Sequence, residues 1–185
     1  MKLNAKQLRT TAVDPVVKNK LKKHDIYLIC DNVLDTYNVG SIFRLADAVA
    51  VSKVFLCGQT LTPPNSRIKK ASINTWEWVD WEYYETAREA ISKCKIQYEK
   101  CKIIAVEQDK RSVSFYSQKL DLPLAIVVGN ETYGVSEEVR NMADMIVELP
   151  VWGINKSLNV MVSLGIVLYE VLHQITENQN LMIET

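Results

Sequence analysis

The chain predicts an α/β fold: a mostly parallel sheet with helices on both faces. Three observations predict it. Short apolar runs rich in β-branched residues alternate along the sequence with segments of helical periodicity. Two of those runs, 102–106 (KIIAV) and 124–129 (LAIVVG), are almost wholly apolar, as strands covered on both faces must be. A length of 185 residues is enough for one such domain with a full core and hardly enough for two.

Residues 1–24 read as a basic N-terminal arm, 25–176 as the domain and 177–185 as a polar tail. Within the first 25 residues Lys2, Lys6, Arg9, Lys18, Lys20, Lys22 and Lys23 face only Asp14 and Asp25, a balance that suits phosphate contacts or a solvated helix equally. The run 26–30 (IYLIC) is the first strand. Residues 38–51 (NVGSIFRLADAVAV) follow as a helix, because at 100° per residue Val39, Ile42, Phe43, Ala46, Val49 and Ala50 gather on one face. Asn38 stands at its start as a candidate N-cap. Arg44 falls nearly opposite the apolar face among Ser41, Leu45 and Ala48, with only Asp47 at i,i+3 as an ionic partner. A stripe so poor in charge calls for a cover other than water.

Residues 54–57 read as the second strand, 58–75 as a turn-rich segment and 76–84 (WEWVDWEYY) as a third strand. Trp76, Trp78 and Asp80 would alternate there with Glu77, Val79 and Trp81, and packing accounts for these aromatic rings better than base stacking does. Residues 86–100 form a helix capped by Thr86 with Glu89 three residues on. After the strands 102–106 and 124–129 come a short helix at 136–143 with Ser136 as its cap, a strand at 145–150 and a last helix from residue 157. Residues 157–169 carry no charge, so this helix is apolar all round. Ser163 and Gly165 leave room for another backbone, and a second subunit is the readiest cover for the outer side. Asn159 in such a run costs on the order of 1–3 kcal/mol unless it is hydrogen-bonded, either to a functional partner or to local backbone at the helix start.

Composition removes several function classes. The 22 basic and 22 acidic residues cancel, so no global field draws a polyanion. Cys30, Cys57, Cys94 and Cys101 form no C-x-x-C pair and have no histidine near them, which argues against a metal site; Cys30 and Cys57, in or at the end of apolar strand-like runs, read as core thiols of a reduced, cytoplasmic protein. The N-terminal residues lack a signal-peptide apolar stretch, and the uncharged run 157–169 is shorter than the roughly 20 residues of a membrane span, so no membrane partner is expected. His24 and His173 lie far from any strand end, which disfavours Ser-His-Asp and Cys-His mechanisms. Neither G-x-G-x-x-G nor a P-loop is present. A parallel sheet places its site beyond the carboxyl ends of its strands, here residues 31–40, 107–112, 129–136 and 151–159. Those loops supply amides, hydroxyls, carboxylates and glycines but no obvious strong base. They suit a reaction whose electrophile a cofactor has already activated.

Three motifs in these loops resemble the SpoU branch of the SPOUT methyltransferases, the tRNA/rRNA 2′-O-ribose methyltransferases. N-x-G-x-x-x-R runs through Asn38, Gly40 and Arg44. An apolar strand is followed by Gly129, Asn130 and Glu131. P-x-x-G-x-x-x-S-L-N runs through Pro150, Gly153, Ser157, Leu158 and Asn159. The resemblance covers about residues 25–176, with order and spacing both matched. It implies a C-terminal trefoil knot, one of the rare exceptions to unknotted topology, with S-adenosylmethionine held in it and a homodimer whose site lies at the subunit boundary. The activity implied is S-adenosylmethionine-dependent 2′-O-methylation of RNA ribose, on tRNA or on rRNA. The alternatives are a non-catalytic RNA-binding or assembly protein of the same fold, and a base methyltransferase. By the same resemblance Arg44, Asn38, Glu131, Ser157 and Asn159 are the catalytic set, with Arg44 either accepting the proton or clamping a phosphate and stabilising the developing alkoxide. The cofactor positions are Val106, Glu107, Gly129, Asn130, Leu149, Gly153, Ser157 and Leu158. The pattern departs at Thr132 and at Ala50, where the family commonly has glycine.

Overall fold

The computed structural model describes Gln7 and residues 13–183; Lys2, Lys6 and Arg9 of the basic arm lie outside the described residues. Seven strands share one sheet: β1 (His24–Asp31), β2 (Val51–Cys57), β3 (Trp81–Tyr84), β4 (Lys102–Val106), β5 (Val113–Ser114), β6 (Leu124–Gly129) and β7 (Met145–Glu148). Their order is β3-β2-β1-β6-β4-β7-β5, and every neighbouring pair is parallel. All carboxyl ends therefore meet at one edge, where Asp31 lies beside both Cys57 and Gly129.

Among residues 13–183 these helices accompany the sheet: α1 (Pro15–Lys20), α2 (Thr36–Ala48), α3 (Ser66–Ser72), α4 (Ala87–Gln97), α5 (Glu137–Met142) and α6 (Val160–Ile183). Successive strand residues point to opposite faces, so the apolar run of β1 fills two cores. Ile26, Leu28 and Cys30 join α2, Ile68 of α3 and Leu164, Val167, Leu168 and Val171 of α6. Tyr27 and Ile29 join Ala90, Ile91 and Cys94 of α4 and Val139 of α5. The four cysteines are buried and unbridged. Desolvation pushes their thiols up, to about 12 for Cys30 and Cys94 and about 11 for Cys101, so they are inert core groups.

Several elements depart from the sequence reading. The segment 58–75 contains α3, capped by Asn65, whose Oδ1 accepts from the N–H groups of Arg67 (2.9 Å) and Ile68 (3.2 Å). A helix anchored mainly by one apolar side chain leaves little periodicity to read. The expected strand 76–84 is instead a 3₁₀ turn (Thr75–Glu77) followed by β3 from Trp81. Trp76, Trp78 and Trp81 all pack on the same core, which strand alternation would forbid. The Trp78 indole donates to Asp47 Oδ1 at 2.7 Å, so Asp47 is not the partner of Arg44. The short β5 and the 3₁₀ turn Phe115–Ser117 were not foreseen.

Helix boundaries shift as well. Asp35, not Asn38, caps α2 by accepting from the Tyr37 N–H (2.8 Å), and Asn38 lies inside the first turn. Ser136 makes no side-chain cap on α5. Helix α6 starts at Val160 rather than at residue 157 and runs through the boundary drawn at 176. It is not buried all round: Leu164, Val167, Leu168 and Val171 are buried while Val162, Ile166 and Tyr169 are exposed. Residues 160–177 are long and apolar enough to cross a membrane by length and composition, yet the buried face belongs to the α/β core. Gly165 faces the Leu45 side chain rather than another backbone, so the chain's own last helix partly covers Leu45 and leaves Arg44 and Ala48 exposed. At the end of the arm, Lys18 and Lys23 pair with Asp80 (3.5 and 2.6 Å) beside β3.

Candidate active site

Three carboxylates at strand ends each hold a loop by accepting backbone N–H groups. Asp31 closes β1 and accepts from Ser136 N–H (2.9 Å) with one oxygen and from the Asn32 side chain (2.8 Å) with the other. Glu107 follows β4 and accepts from Val135 N–H (2.7 Å) and Gln108 N–H (2.8 Å). Glu131 follows β6 and accepts from the N–H groups of Leu34 and Asp35 (3.0 Å each) and from the Asn38 amide (2.9 Å). Burial alone would raise the Glu131 carboxyl, but the Asn38 amide and the Leu34 and Asp35 N–H groups outweigh it and hold the group below the usual carboxylate range. A carboxylate so engaged is a poor proton acceptor. It positions the loop ahead of α2.

The loop after β6 closes on itself. Asn130 and Gly134 exchange backbone hydrogen bonds (3.0 and 2.8 Å), and Asn130 Oδ1 accepts from the N–H groups of Thr132 and Tyr133 (2.8 and 3.0 Å). Gly134 has φ +69°, and a Cβ there would land on the Glu107 carboxylate. Thr132 keeps a negative φ, so its departure from the family glycine needs no strained backbone.

Asn38 joins the three motifs. Its Nδ2 donates to Glu131 Oε1, while its Oδ1 accepts from Asn159 Nδ2 at 3.1 Å. Asn159 Oδ1 in turn accepts from the N–H groups of Met161 and Val162 (2.9 and 3.4 Å) and so caps α6. Its amide thus bonds the backbone at the helix start on one side and Asn38 on the other. The chain Asn159–Asn38–Glu131 is fully used in holding α2, the β6 loop and the start of α6 against one another.

Beside it opens a cavity of about 370 Å³ at the carboxyl ends of β4, β6 and β7. Of the residues expected at the cofactor, Val106, Glu107, Gly129, Asn130, Leu149, Ser157 and Leu158 line it; Gly153 does not. Of the expected catalytic set, Glu131, Ser157 and Asn159 line it, whereas Asn38 reaches it only through its two partners and Arg44 is outside it. Arg44 is exposed and forms no ion pair among the described residues. Sequence reasoning missed Gln108, Gly134, Glu148 and Asn155 on the walls. Gln108 Nε2 donates to Lys156 O (2.5 Å) and ties the β4 loop to the segment before α6, a contact across 48 residues that no local pattern signals. Gly134 alone had a readable signal, as a glycine shortly after Gly-Asn-Glu.

The walls suit an adenosine-like group. Val106, Leu149, Val151 and Leu158 offer apolar surface for a flat ring, and the Leu158 backbone takes part in none of the hydrogen bonds among the described residues, leaving polar atoms at the ring edge. No His, Cys, Asp and Glu grouping among the described residues has the makings of a metal site.

A sequence profile described as the SpoU rRNA Methylase family matches residues 25–169. The chain is 32% identical over 157 residues to a tRNA (guanosine(18)-2′-O)-methyltransferase of Aquifex aeolicus, covering 83% of this chain and 71% of that one. It is 29% identical over 156 residues to the enzyme of the same name from Escherichia coli K12 (83% and 65% covered) and 29% identical over 172 residues to the 23S rRNA (guanosine-2′-O-)-methyltransferase RlmB of Vibrio parahaemolyticus (92% and 67% covered). Among solved structures, the A. aeolicus TrmH/SpoU tRNA modifying enzyme superposes with a TM-score of 0.78 at 28% identity, covering 95% of this chain and 84% of that one.

Proposed function

The chain belongs to the SpoU rRNA methylase family, and on that premise we propose that it transfers a methyl group from S-adenosylmethionine to a ribose 2′-hydroxyl of RNA, with tRNA as the first substrate to test and rRNA the second. The observation that carries this reading is the hydrogen-bonded chain Asn159–Asn38–Glu131, which fuses the three family motifs at the rim of one cavity.

Bound in that cavity, S-adenosylmethionine supplies an electrophilic sulfonium methyl. Val106, Leu149 and Leu158 hold the adenosine between apolar walls, and the backbone groups of Gly129, Leu149 and Leu158 read its edges. Ser157, whose hydroxyl donates to Asn155 Oδ1 (3.3 Å), stands on the same wall. Asn38, Glu131 and Asn159 are positioning residues: their polar atoms are spent on one another and on loop backbone. Arg44, in no ion pair among the described residues, is a charged group free to meet substrate. Its guanidinium clamps the target phosphate and stabilises the developing alkoxide, while the hydroxyl's proton passes to solvent water. Because Arg44 lies outside its own chain's cavity, it serves the cavity of a second protomer. The homodimer is formed through the exposed apolar face of α6 and the segment before it, where Trp152, Ile154, Val162, Ile166 and Tyr169 face outward. The C-terminal segment forms the trefoil knot of the family, a reading supported by the β6 loop and residues of the segment 149–159 lining the same cavity. Buried, unbridged thiols suit a cytoplasmic setting.

Incubation with isotopically labelled S-adenosylmethionine and tRNA or rRNA, followed by nuclease digestion and mass analysis, should yield 2′-O-methylated nucleosides. Label on a base would replace this reading with base methylation. RNA affinity without calorimetric binding of S-adenosylmethionine would replace it with a binding protein.

A further inference from the structure

The chain is neutral overall, yet its charges are not evenly spread. From Gly58 to Thr75 it carries Arg67, Lys69 and Lys70 and no acidic residue. All three cations lie on α3, exposed, and none is in an ion pair among the described residues. Elsewhere Lys18, Lys23, Lys53, Arg88, Lys95, Arg111 and Arg140 are each matched to a carboxylate.

The helix is also placed and pinned. The segment leading to it leaves the carboxyl end of β2, where Gln59 N–H donates to Asn32 at the end of β1 (2.9 Å). Asn65 caps it, and Ile68, fully buried, turns its neighbours outward. It lies against the first turns of α2: a Cβ on Gly40 would come within 2.6 Å of Ala71 Cβ and 2.9 Å of Ile68 O. Gly40 is two residues from Asn38 and one helical turn from Arg44, which points about 40° away from it around α2. Asp47, the carboxylate on that helix nearest to Arg44 in sequence, is taken by the Trp78 indole.

We infer that Arg67, Lys69 and Lys70 form a second phosphate-binding surface, which grips the RNA backbone away from the target nucleotide and continues the cationic line begun by Arg44. This rests on the RNA reading above but concerns affinity rather than methyl transfer. Unpaired cations on a rigid turn cost little to bring to a phosphate strand, and each contact releases counterions, which makes the binding salt-dependent.

The test replaces all three with glutamine, which keeps helix propensity, as Arg67→Gln, Lys69→Gln and Lys70→Gln together. The control makes the same charge change at the opposite edge of the sheet and on α4 with Lys93→Gln, Lys102→Gln and Lys119→Gln. Affinity for unfractionated tRNA is measured against salt concentration, with calorimetric S-adenosylmethionine binding alongside to show that the cavity is intact. The α3 variant should bind tRNA at least tenfold more weakly, with its log affinity–log salt slope shallower by about 2. Its KM for tRNA should rise while kcat at saturating tRNA stays within about twofold; the control should match the unaltered protein. An α3 variant with unchanged slope and affinity, or one no worse than the control, overturns the inference while leaving methyl transfer standing. Loss of tRNA affinity in the α3 variant alongside an unaltered protein that transfers no methyl group would do the reverse.

Discussion

Glu131 spends its carboxylate on holding other segments, accepting from the Leu34 and Asp35 N–H groups and from the Asn38 amide. Its carboxyl is held below the usual range in the folded chain by the Asn38 amide and two backbone N–H groups working against burial. A depressed folded-state value means that the stabilisation is fully present above the unfolded value and fades as pH falls through the folded one. Urea unfolding followed between pH 6 and pH 3 should therefore show stability falling with acid, and Glu131→Gln should flatten that fall. Asn38 is 6% exposed and carries both bonds of the polar chain. Asn38→Ala should cost about 1–3 kcal/mol in the same unfolding experiment and should remove most activity. Arg44 differs in that it takes part in no ion pair among the described residues. Arg44→Lys should leave stability and S-adenosylmethionine binding unchanged and lose most methyl transfer, since a point charge does not replace the bidentate fork. Turnover near the unaltered level would remove Arg44 from the mechanism.

At the level of elements, the sequence was most legible where burial was most complete. The runs at β4 and β6 match their strands residue for residue, and Thr86 caps α4 by accepting from Glu89 N–H as the spacing implied. Legibility failed where tertiary contacts decide the conformation. Three tryptophans mimicked a strand because their common core lies outside the local pattern, and α3 was hidden because a single buried isoleucine anchors it. The cap of α2 moved from Asn38 to Asp35, and α6 begins at Val160 rather than at residue 157. The motif glycine Gly40 was read as part of a signature, but its physical purpose, close passage of α3, became visible only with the packing in hand. Ala50, the other departure from the family pattern, takes φ +52° just after α2. Ala50→Gly should relieve about 1–2 kcal/mol of left-handed strain against about 0.5–1 kcal/mol of added chain entropy. A small gain in the urea midpoint, with activity unchanged, is the expected result.

For the molecule as a whole, the cavity's residues were largely predictable from motif positions, whereas its completion by Gln108, Glu148 and Asn155 was not. Those residues come from segments distant in sequence that only the strand order brings together. The same holds for the surface left over. Val162, Ile166 and Tyr169 recur at helical spacing on the outer side of α6, next to Trp152 and Ile154. Ile166→Glu should convert a dimer to a monomer in sedimentation velocity and abolish methyl transfer, because Arg44 would then have no partner cavity to serve. A monomeric Ile166→Glu variant with full activity would require Arg44 to act within its own chain.

Asn38 is hydrogen-bonded to a residue 121 positions later, and Asp31 to one 105 positions later. During translation, therefore, the first motif's amide lacks one of its two partners until the 121 residues that follow it have been made. No donor pocket exists on the ribosome until the stretch around Asn159 has been made.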